Sequence, residues 1–226
     1  PAPAAITLTP AERTALAPLH QAVEAGNWTL ASSLVPAART GARGTDARYV
    51  LARLELAIAT GMGNRAAQSL AIDGVMNTRR APVDEQVVLL RQQAGLAYDT
   101  GNLNDAEGLL NRAIGLAPND SEALSMLAQV ERNRNRPVEA LGLFQRASRA
   151  ALAEGRALPE SRYKLAIAMA EQGGQRGVAL ELARNFIAAY PTAVNWRDVL
   201  IVFGALGTAD AAQVADAWRL ARATGA

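Results

Sequence analysis

The sequence predicts an all-α protein, a right-handed α-solenoid of about six helical hairpins and about 12 helices. A pattern of apolar helix, tight turn, second apolar helix and proline stop recurs six times, and its clearest copy extends from Val87 to Asp120. Alanine, the strongest helix former, accounts for 50 of the 226 residues, whereas aromatic residues make up only 4%. Because one hairpin cannot bury its own apolar face, the repetition implies that hairpins stack on one another.

The boundaries of the elements follow from capping and turn residues. Thr9, Pro10 and Glu12 form the pattern of a capping box with proline in the first turn, so the first helix begins there and residues 1–9 are predicted to be a flexible arm. Turns rich in Gly and Asn then separate the two helices of each hairpin. The first helices of the six hairpins are predicted at residues 11–25, 46–60, 85–100, 121–133, 160–172 and 193–205.

Small residues near the start of each second helix predict a close crossing with the first helix. These reference alanines are Ala31, Ala66, Ala106, Ala140, Ala179 and Ala212. Two of the intervals between them exceed 34 residues by several positions. We expect the additional residues to form an exposed loop at 77–80 and about one more helical turn after Ala147.

This register resembles the tetratricopeptide repeat (TPR), a helical hairpin of about 34 residues. The best-matched hairpin has the family's residue types at Ala94, Tyr98, Ala106, Leu110, Ala113 and Pro118. Hairpins within 85–226 match well and those within 10–84 are divergent, with Pro18 and Arg53 where the family prefers Leu. The resemblance implies one superhelical domain over residues 10–226 that binds other proteins in a concave groove.

Composition limits the classes of partner. The net charge is only +2, and it is balanced along the chain: residues 1–86 hold 8 Arg and 7 acids, and residues 87–226 hold 15 basic residues and 14 acids. No clustered basic face for nucleic acid is therefore indicated. The absence of Cys excludes disulfides, thiolate metal sites and a Cys nucleophile.

Two features bear on the compartment. No apolar run approaches the roughly 18 residues of a transmembrane helix, so no membrane span is expected. The start of the sequence, Pro1 to Ala5, is small and uncharged, as after signal-peptide removal, and a cut in a flexible Pro/Ala linker would look the same. We favour a periplasmic or otherwise exported bacterial protein over a cytoplasmic one.

Motifs for catalysis, cofactors and metals are weak. Gly61-Met62-Gly63-Asn64-Arg65-Ala66 matches a dinucleotide fingerprint, but a helix precedes it where the fingerprint requires a strand. His20 is the only histidine, and with Glu24 it offers two metal ligands at most. We therefore predict no enzyme, no catalytic residue, no cofactor and no metal.

The predicted binding residues are those on first helices that the packing pattern does not use. They are Arg91, Tyr98, Asp99, Ser125, Gln129, Arg132, Asn133, Lys164, Gln172 and Arg197. Such a polar groove with scattered positive charge suits an extended or helical peptide. Arg132 to Arg136, the one basic cluster, is either a contact for an acidic partner or a solvated turn, and its place between two helices favours the turn.

One family signature is absent. The two-carboxylate clamp that some TPR proteins use to hold a C-terminal carboxylate needs an Asn where this sequence has Gly95, and Lys164 is followed one turn later by Ala168. The predicted function is therefore a general one, a scaffold that docks a protein or peptide. The alternatives are an exported ligand-binding or cell-envelope assembly protein, and a module that self-associates through its terminal repeats, with Trp218 and Leu220 as contacts.

Overall fold

The computed structural model describes residues 5–206 and Arg219. Within these residues the chain forms eleven α-helices and no strand. The chain divides into two compact units, unit 1 up to Gly101 and unit 2 from Asn102 onward. The boundary lies in the turn between the fifth and sixth helices.

Unit 1 contains five helices, joined by short turns. They are α1 (Pro10–Glu24), α2 (Trp28–Gly41), α3 (Thr45–Gly61), α4 (Arg65–Asn77) and α5 (Val83–Asp99). Helix α1 packs against α2, and α3 packs against α4. Gly26 and Gly63 have φ of +65°, the left-handed conformation in which glycine carries no steric penalty, and each is followed by an Asn that caps the next helix.

Two apolar clusters hold unit 1 together. The first joins α1, α2 and α3 through side chains such as Leu16, Leu19 and Leu51. The second joins α3, α4 and α5 through Tyr49, Ile72, Val75 and Leu89. Helices α1 and α3 therefore each bury residues against both their own partner helix and the next first helix, as stacking requires.

Unit 2 contains six described helices. They are α6 (Leu103–Leu116), α7 (Ser121–Asn133), α8 (Pro137–Ala153), α9 (Glu160–Gln172), α10 (Arg176–Ala189) and α11 (Ala193–Leu206). Helix α7 packs against α8 and α9 against α10. Helix α8 has 17 residues where α6 and α10 have 14, which confirms the additional turn that the sequence predicts after Ala147.

The core of unit 2 is built around three aromatic rings. Tyr163 and Phe186 are buried with their ring centroids 5.8 Å apart, and Tyr190 stands edge-on to Tyr163 at 6.3 Å. Buried Ser148 accepts a hydrogen bond from Asn185 Nδ2 at 2.9 Å. The rings and this polar contact connect α8, α9 and α10, so the register between successive hairpins is fixed by both packing and hydrogen bonding.

Of the five reference alanines that the structure describes, four are buried and one is exposed. Ala31, Ala106, Ala140 and Ala179 each lie four residues after the helix N-cap and are fully buried. Ala66 is exposed, because the N-cap of α4 is Asn64 and the equivalent position is Gln68. Gln68 Nε2 donates to the carbonyl of Ala59 at 3.3 Å, so the amide in this place is satisfied by the partner helix.

The predicted helix bounds agree with the structure, and two local expectations need comment. All six first helices occur within two residues of the predicted ends. The predicted exposed loop at 77–80 is only partly exposed, since the side chain of Arg80 is more than three-quarters buried and pairs with Asp46. The second helix of the sixth hairpin, with Ala212, Trp218 and Leu220, lies outside the described residues.

The predicted division into an arm and one domain stays a prediction. Residues 5–9 are not helical, but they are held by hydrogen bonds from Thr7 to Asp46 and from Arg80 to Ala5. Leu8 packs against the first apolar cluster. Among the helices that the structure describes, none has both the length and the apolar character that crossing a membrane would require.

Enlarging a buried reference alanine should destabilise the protein. We expect Ala31→Leu to lower the free energy of unfolding by about 1–3 kcal/mol, because the added atoms have no space where α2 lies against α1. Ala66→Leu is the matched control, since Ala66 is exposed in α4, and should change the free energy by less than about 0.5 kcal/mol. Urea unfolding followed by far-UV circular dichroism measures both. Equal effects would contradict the assigned register.

Candidate functional site

The ten predicted binding residues are distributed over both units. Arg91, Tyr98 and Asp99 lie on α5 in unit 1. The other seven lie in unit 2, on α7, α9 and α11. That they form one binding groove stays a prediction, and each group is described within its own unit.

Two predicted residues on α7 are used inside the protein. Ser125 is fully buried, and its hydroxyl accepts a hydrogen bond from the guanidinium of Arg162. Gln129 is half-buried and donates to the carbonyl of Ser125 at 3.2 Å. The sequence pattern missed this because Arg162, on the next first helix, covers Ser125. Arg132 and Asn133, at the end of α7, are exposed.

Lys164 and Arg197 belong to an exposed ion-pair network on α9 and α11. Lys164 Nζ lies 2.8 Å from Glu160 and 3.9 Å from Asp198, and 5.7 Å from the ring centroid of Phe186. Arg197 lies 3.7 Å from Asp198. Gln172 is exposed at the end of α9. Exposed pairs of this kind contribute little stability, so their side chains can exchange partners at low cost.

Neighbouring carboxylates neutralise two arginines of the Arg132 to Arg136 cluster. Arg134 is 2.5 Å from Glu107 and 2.8 Å from Asn104, and Arg136 is 3.1 Å from Glu131. Glu131 itself is buried. These contacts favour the interpretation of the cluster as a structural turn rather than as a docking point for an acidic partner.

A cleft in unit 1 was not predicted. It lies along α3 and α5, has a volume of about 1040 Å³, and is called the α3–α5 cleft below. Most of its lining is apolar. Its charged members are two bases and two acids, Arg53, Arg80, Asp84 and Glu85. The remaining lining residues are Ala5, Ile6, Trp28, Tyr49, Leu56, Ala57, Thr60, Gly61, Pro82, Val88, Leu89 and Gln92.

A polar cluster connects the two helices of the cleft. The hydroxyl of Tyr49 donates to Glu85 Oε2, and Arg53 Nε lies 3.4 Å from Glu85 Oε1. The Arg53 guanidinium also lies 5.8 Å from the ring centroid of Tyr49. Burial, and then the adjacent Glu85 carboxylate, raise the pKa of Tyr49 above its ordinary value. The hydroxyl therefore keeps its proton and remains a hydrogen-bond donor across the physiological range.

Trp28 contributes an indole ring to the cleft from the start of α2. Gly61, the last residue of α3, makes room for it: a Cβ atom at Gly61 would lie 2.3 Å from Trp28 Cε2. Aromatic rings at the border of an apolar cleft offer both a flat contact surface and an N–H donor. The glycine is therefore needed for the position of the ring, whereas Gly63, with φ +65°, serves the turn.

The segment before α1 borders the same cleft. Ala5 and Ile6 line it, and the Ala5 carbonyl accepts from Arg80 Nη2 at 3.1 Å. The Thr7 N–H donates to Asp46 Oδ2 at 2.7 Å, and Arg80 Nε donates to Asp46 Oδ1 at 2.5 Å. The Thr7 hydrogen bond, followed by that of Arg80, lowers the pKa of the Asp46 carboxyl.

Among the residues of the cleft, Arg53 is the one that the repeat pattern could have identified. With Ala66 as the reference alanine of its hairpin, Arg53 falls at a packing position where the family prefers Leu. With Gln68 at that position, the repeat shifts by two residues, and Arg53 takes the same place on α3 that Arg91 takes on α5. No comparable pattern indicates Trp28 or Glu85. Trp28 begins a second helix, and Glu85 lies in the first turn of α5.

The remaining candidate motifs are structural. Gly61 to Ala66 spans the end of α3, a turn and the start of α4, with no strand before it. His20 Nδ1 lies 3.3 Å from Glu24, and both side chains are exposed. Across the residues that the structure describes, no three His, Asp or Glu side chains are grouped closely enough to hold a metal ion.

Comparison with solved structures identifies the fold. The chain is similar to the MamA protein, with 16% identity over 78% of this chain and 91% of that one and a TM-score of 0.53. It is similar to YrrB, described as a TPR protein with an unusual peptide-binding site, with 15% identity over 78% and 85% of the two chains and a TM-score of 0.54. It is also similar to BtubC (BKLC) from P. vanneervenii, with 12% identity over 96% of this chain and 89% of that one and a TM-score of 0.53.

Sequence comparison adds nothing to this likeness. No protein-family model matches the chain, and no curated protein is significantly similar to it. At these low identities the structural neighbours establish the fold. The prediction of an all-α, TPR-like solenoid of helical hairpins is confirmed at that level.

Filling the space beneath Trp28 should destabilise unit 1. We expect Gly61→Ala to lower the free energy of unfolding by about 1–3 kcal/mol, because the new methyl group overlaps the indole ring. Gly108→Ala in α6 is the control, since its methyl group would enter open space. It should raise the free energy of unfolding by up to about 1 kcal/mol, because alanine is the better helix former. Urea unfolding of the two variants shows whether each one lowers or raises the free energy of unfolding. A stabilising Gly61→Ala would show that the ring does not depend on the glycine.

Acid should release the segment that borders the cleft. Because the pKa of Asp46 is lowered in the folded protein, its stabilising hydrogen bonds are complete above the ordinary value of about 3.9 and are lost as the pH falls through the lowered value. The Thr7 amide should therefore remain protected at neutral pH and exchange freely only below about pH 4. Proton NMR of that amide at a series of pH values measures the midpoint of the loss of protection. Asp46→Asn should remove the transition, and a midpoint above the ordinary value would contradict the assignment.

Proposed function

We propose that this protein is a non-enzymatic interaction scaffold and that its α3–α5 cleft binds an extended peptide segment of a partner protein. The likeness to TPR proteins, one of which is described as having a peptide-binding site, supports a protein-interaction role in general. The choice of the cleft as the site rests on the geometry of unit 1.

The apolar lining of the cleft is the observation that carries the proposal. Val88, on α5, is 50% exposed within it, and Leu56 and Leu89 complete its aliphatic surface. Binding sites combine such apolar surface with a few polar groups that fix orientation. A volume of about 1040 Å³ is large enough for several residues of an extended chain.

The polar groups of the cleft suit a peptide backbone better than a charged ligand. Its two bases and two acids balance, so no net field recruits an ion of either sign. Arg53 is 58% exposed even though it pairs with Glu85, so its guanidinium presents N–H groups that a peptide carbonyl can accept. Tyr49 and Glu85 are bonded to each other, which makes them a positioned pair rather than an acid and a base available for catalysis.

Peptides selected for binding should lose affinity when the apolar surface of the cleft is charged. We expect binders from a random-peptide display library, panned on the full chain, to bind Val88→Asp at least tenfold more weakly. The new carboxylate would be desolvated by any apolar side chain in the cleft. Leu70→Asp is the matched control, because Leu70 is 73% exposed in α4 and does not line the cleft, and it should bind normally. Fluorescence anisotropy measures the affinities, and circular dichroism confirms that both variants are folded.

A double variant tests the groove predicted from sequence against the cleft. Arg91→Ala combined with Lys164→Ala removes two of the predicted contacts without altering the lining of the cleft. If peptides bind in the cleft, this variant should retain their affinity within about twofold. Loss of binding in the double variant, with normal binding to Val88→Asp, would place the site on the predicted residues and reject the cleft.

A further inference from the structure

We propose that residues 5–7 of this chain occupy one end of the α3–α5 cleft as an internal ligand, and that the partner is an extended peptide with an aliphatic side chain that displaces them. The inference rests on the proposed function and specifies the chemistry of the partner. It follows from how the chain binds its own backbone.

The segment offers its backbone to neighbouring side chains, as a bound peptide does. Residues 5–9 belong to no helix. In an extended chain, the carbonyl of one residue and the N–H two residues later point to the same side. Here those two groups are the Ala5 carbonyl and the Thr7 N–H, and they meet Arg80 and Asp46, respectively.

Arg80 and Asp46 form a preassembled donor and acceptor for a backbone. Their side chains are joined by hydrogen bonds of 2.5 and 3.2 Å, and both are more than three-quarters buried. Arg80 lies in the turn before α5, and Asp46 lies in the first turn of α3, so the pair connects the two hairpins that form the cleft. Because the pair holds the segment by a main-chain carbonyl and a main-chain N–H, it would accept any extended peptide that has an N–H at the third position. Proline at that position would be excluded.

Ile6, the residue between these two backbone contacts, indicates that this end of the cleft accepts an aliphatic side chain. Ile6 lines the cleft, yet it remains 48% exposed, so the internal segment fills the cleft only in part. A peptide that also reached Val88 and Trp28 would remove more apolar surface from water than Ile6 does. That additional burial is what would allow a partner to displace a segment that is covalently attached.

The segment can leave without unfolding the helices. Leu8 is anchored in the apolar cluster of α1 to α3, and Thr9 caps α1 through the capping box with Glu12. Glu12 also accepts from the Gly44 N–H at 2.7 Å, which fixes the start of α1 to the turn before α3. Only residues before Leu8 need to move, at the cost of two backbone hydrogen bonds and the contacts of Ile6.

Competition between an external copy of the segment and the internal one tests the proposal. The probe is a fluorescein-labelled peptide with the sequence of residues 1–9, titrated into the 226-residue chain and followed by anisotropy. In the wild-type chain the internal segment competes at an effective concentration in the millimolar range, so the probe should bind weakly. Ile6→Ser in the chain weakens the internal competitor, and should strengthen probe binding at least tenfold. Ile6→Val, which keeps the aliphatic side chain, is the control and should behave as wild type.

Variants of the probe separate backbone recognition from apolar contact. A probe with Pro in place of Thr7 lacks the N–H that Asp46 accepts, and one with Ser in place of Ile6 lacks the aliphatic side chain. Both should bind the Ile6→Ser chain at least tenfold more weakly than the unmodified probe. Full binding by the proline probe would overturn the role assigned to Asp46 and Arg80.

The outcomes distinguish this inference from the proposed function. If the probe binds the wild-type and Ile6→Ser chains equally, or neither of them, the internal-ligand proposal is wrong. Selected library peptides that still lose binding on Val88→Asp would leave the peptide-binding function standing in that case. If neither the probe nor any library peptide depends on Val88, both proposals are wrong.

Discussion

Within each unit, the close approach of paired helices is the constraint on which the rest of the structure depends. The pairs are α1–α2, α3–α4, α7–α8 and α9–α10. Four residues after the N-cap of the second helix, the chain places a side chain that must fit against the first helix. Alanine fills this position in three of the pairs and is fully buried there. Gln68 is the exception, and its amide bonds the carbonyl of Ala59 instead of leaving a polar group unsatisfied. Because this position sets the register of the hairpin, it also decides which residues of the first helix remain exposed.

The same constraint explains how much the sequence could predict. Helices, turns and caps depend on local chemistry, so the bounds of the first helices and the length of α8 were predicted correctly from propensity and capping residues. The surface of the first helices depends on the register, and an error of two residues at Ala66 assigned Arg53 to packing. Trp28 could not be placed by any helix pattern, because its position depends on the missing side chain of Gly61.

Contacts between hairpins account for the other differences. Ser125 occupies a groove position in the repeat, but Arg162 from the next first helix covers it. Arg134 and Arg136 look like a basic patch in the sequence, but Glu107 from the preceding second helix pairs with both of them. Arg149 likewise pairs with Glu181, 32 residues away, and this contact lowers the pKa of the Glu181 carboxyl. Pairs of residues about one repeat apart in sequence cannot be recognised without knowing how the hairpins stack, so charge patterns overestimate the number of accessible cations.

The α3–α5 cleft shows how such pairing can serve recognition. An arginine bonded to a carboxylate no longer attracts anions, yet it retains N–H groups that can be shared with a peptide carbonyl. Both cleft pairs, Arg53 with Glu85 and Arg80 with Asp46, are of this kind, and the second already holds the backbone of Ala5 and Thr7. An attached segment at millimolar effective concentration raises the apparent dissociation constant of any competitor that uses the same contacts. If the internal segment competes as proposed, weak peptides that merely reproduce those backbone bonds would be rejected, and a partner would have to gain its advantage from the apolar surface around Val88 that the internal segment leaves exposed.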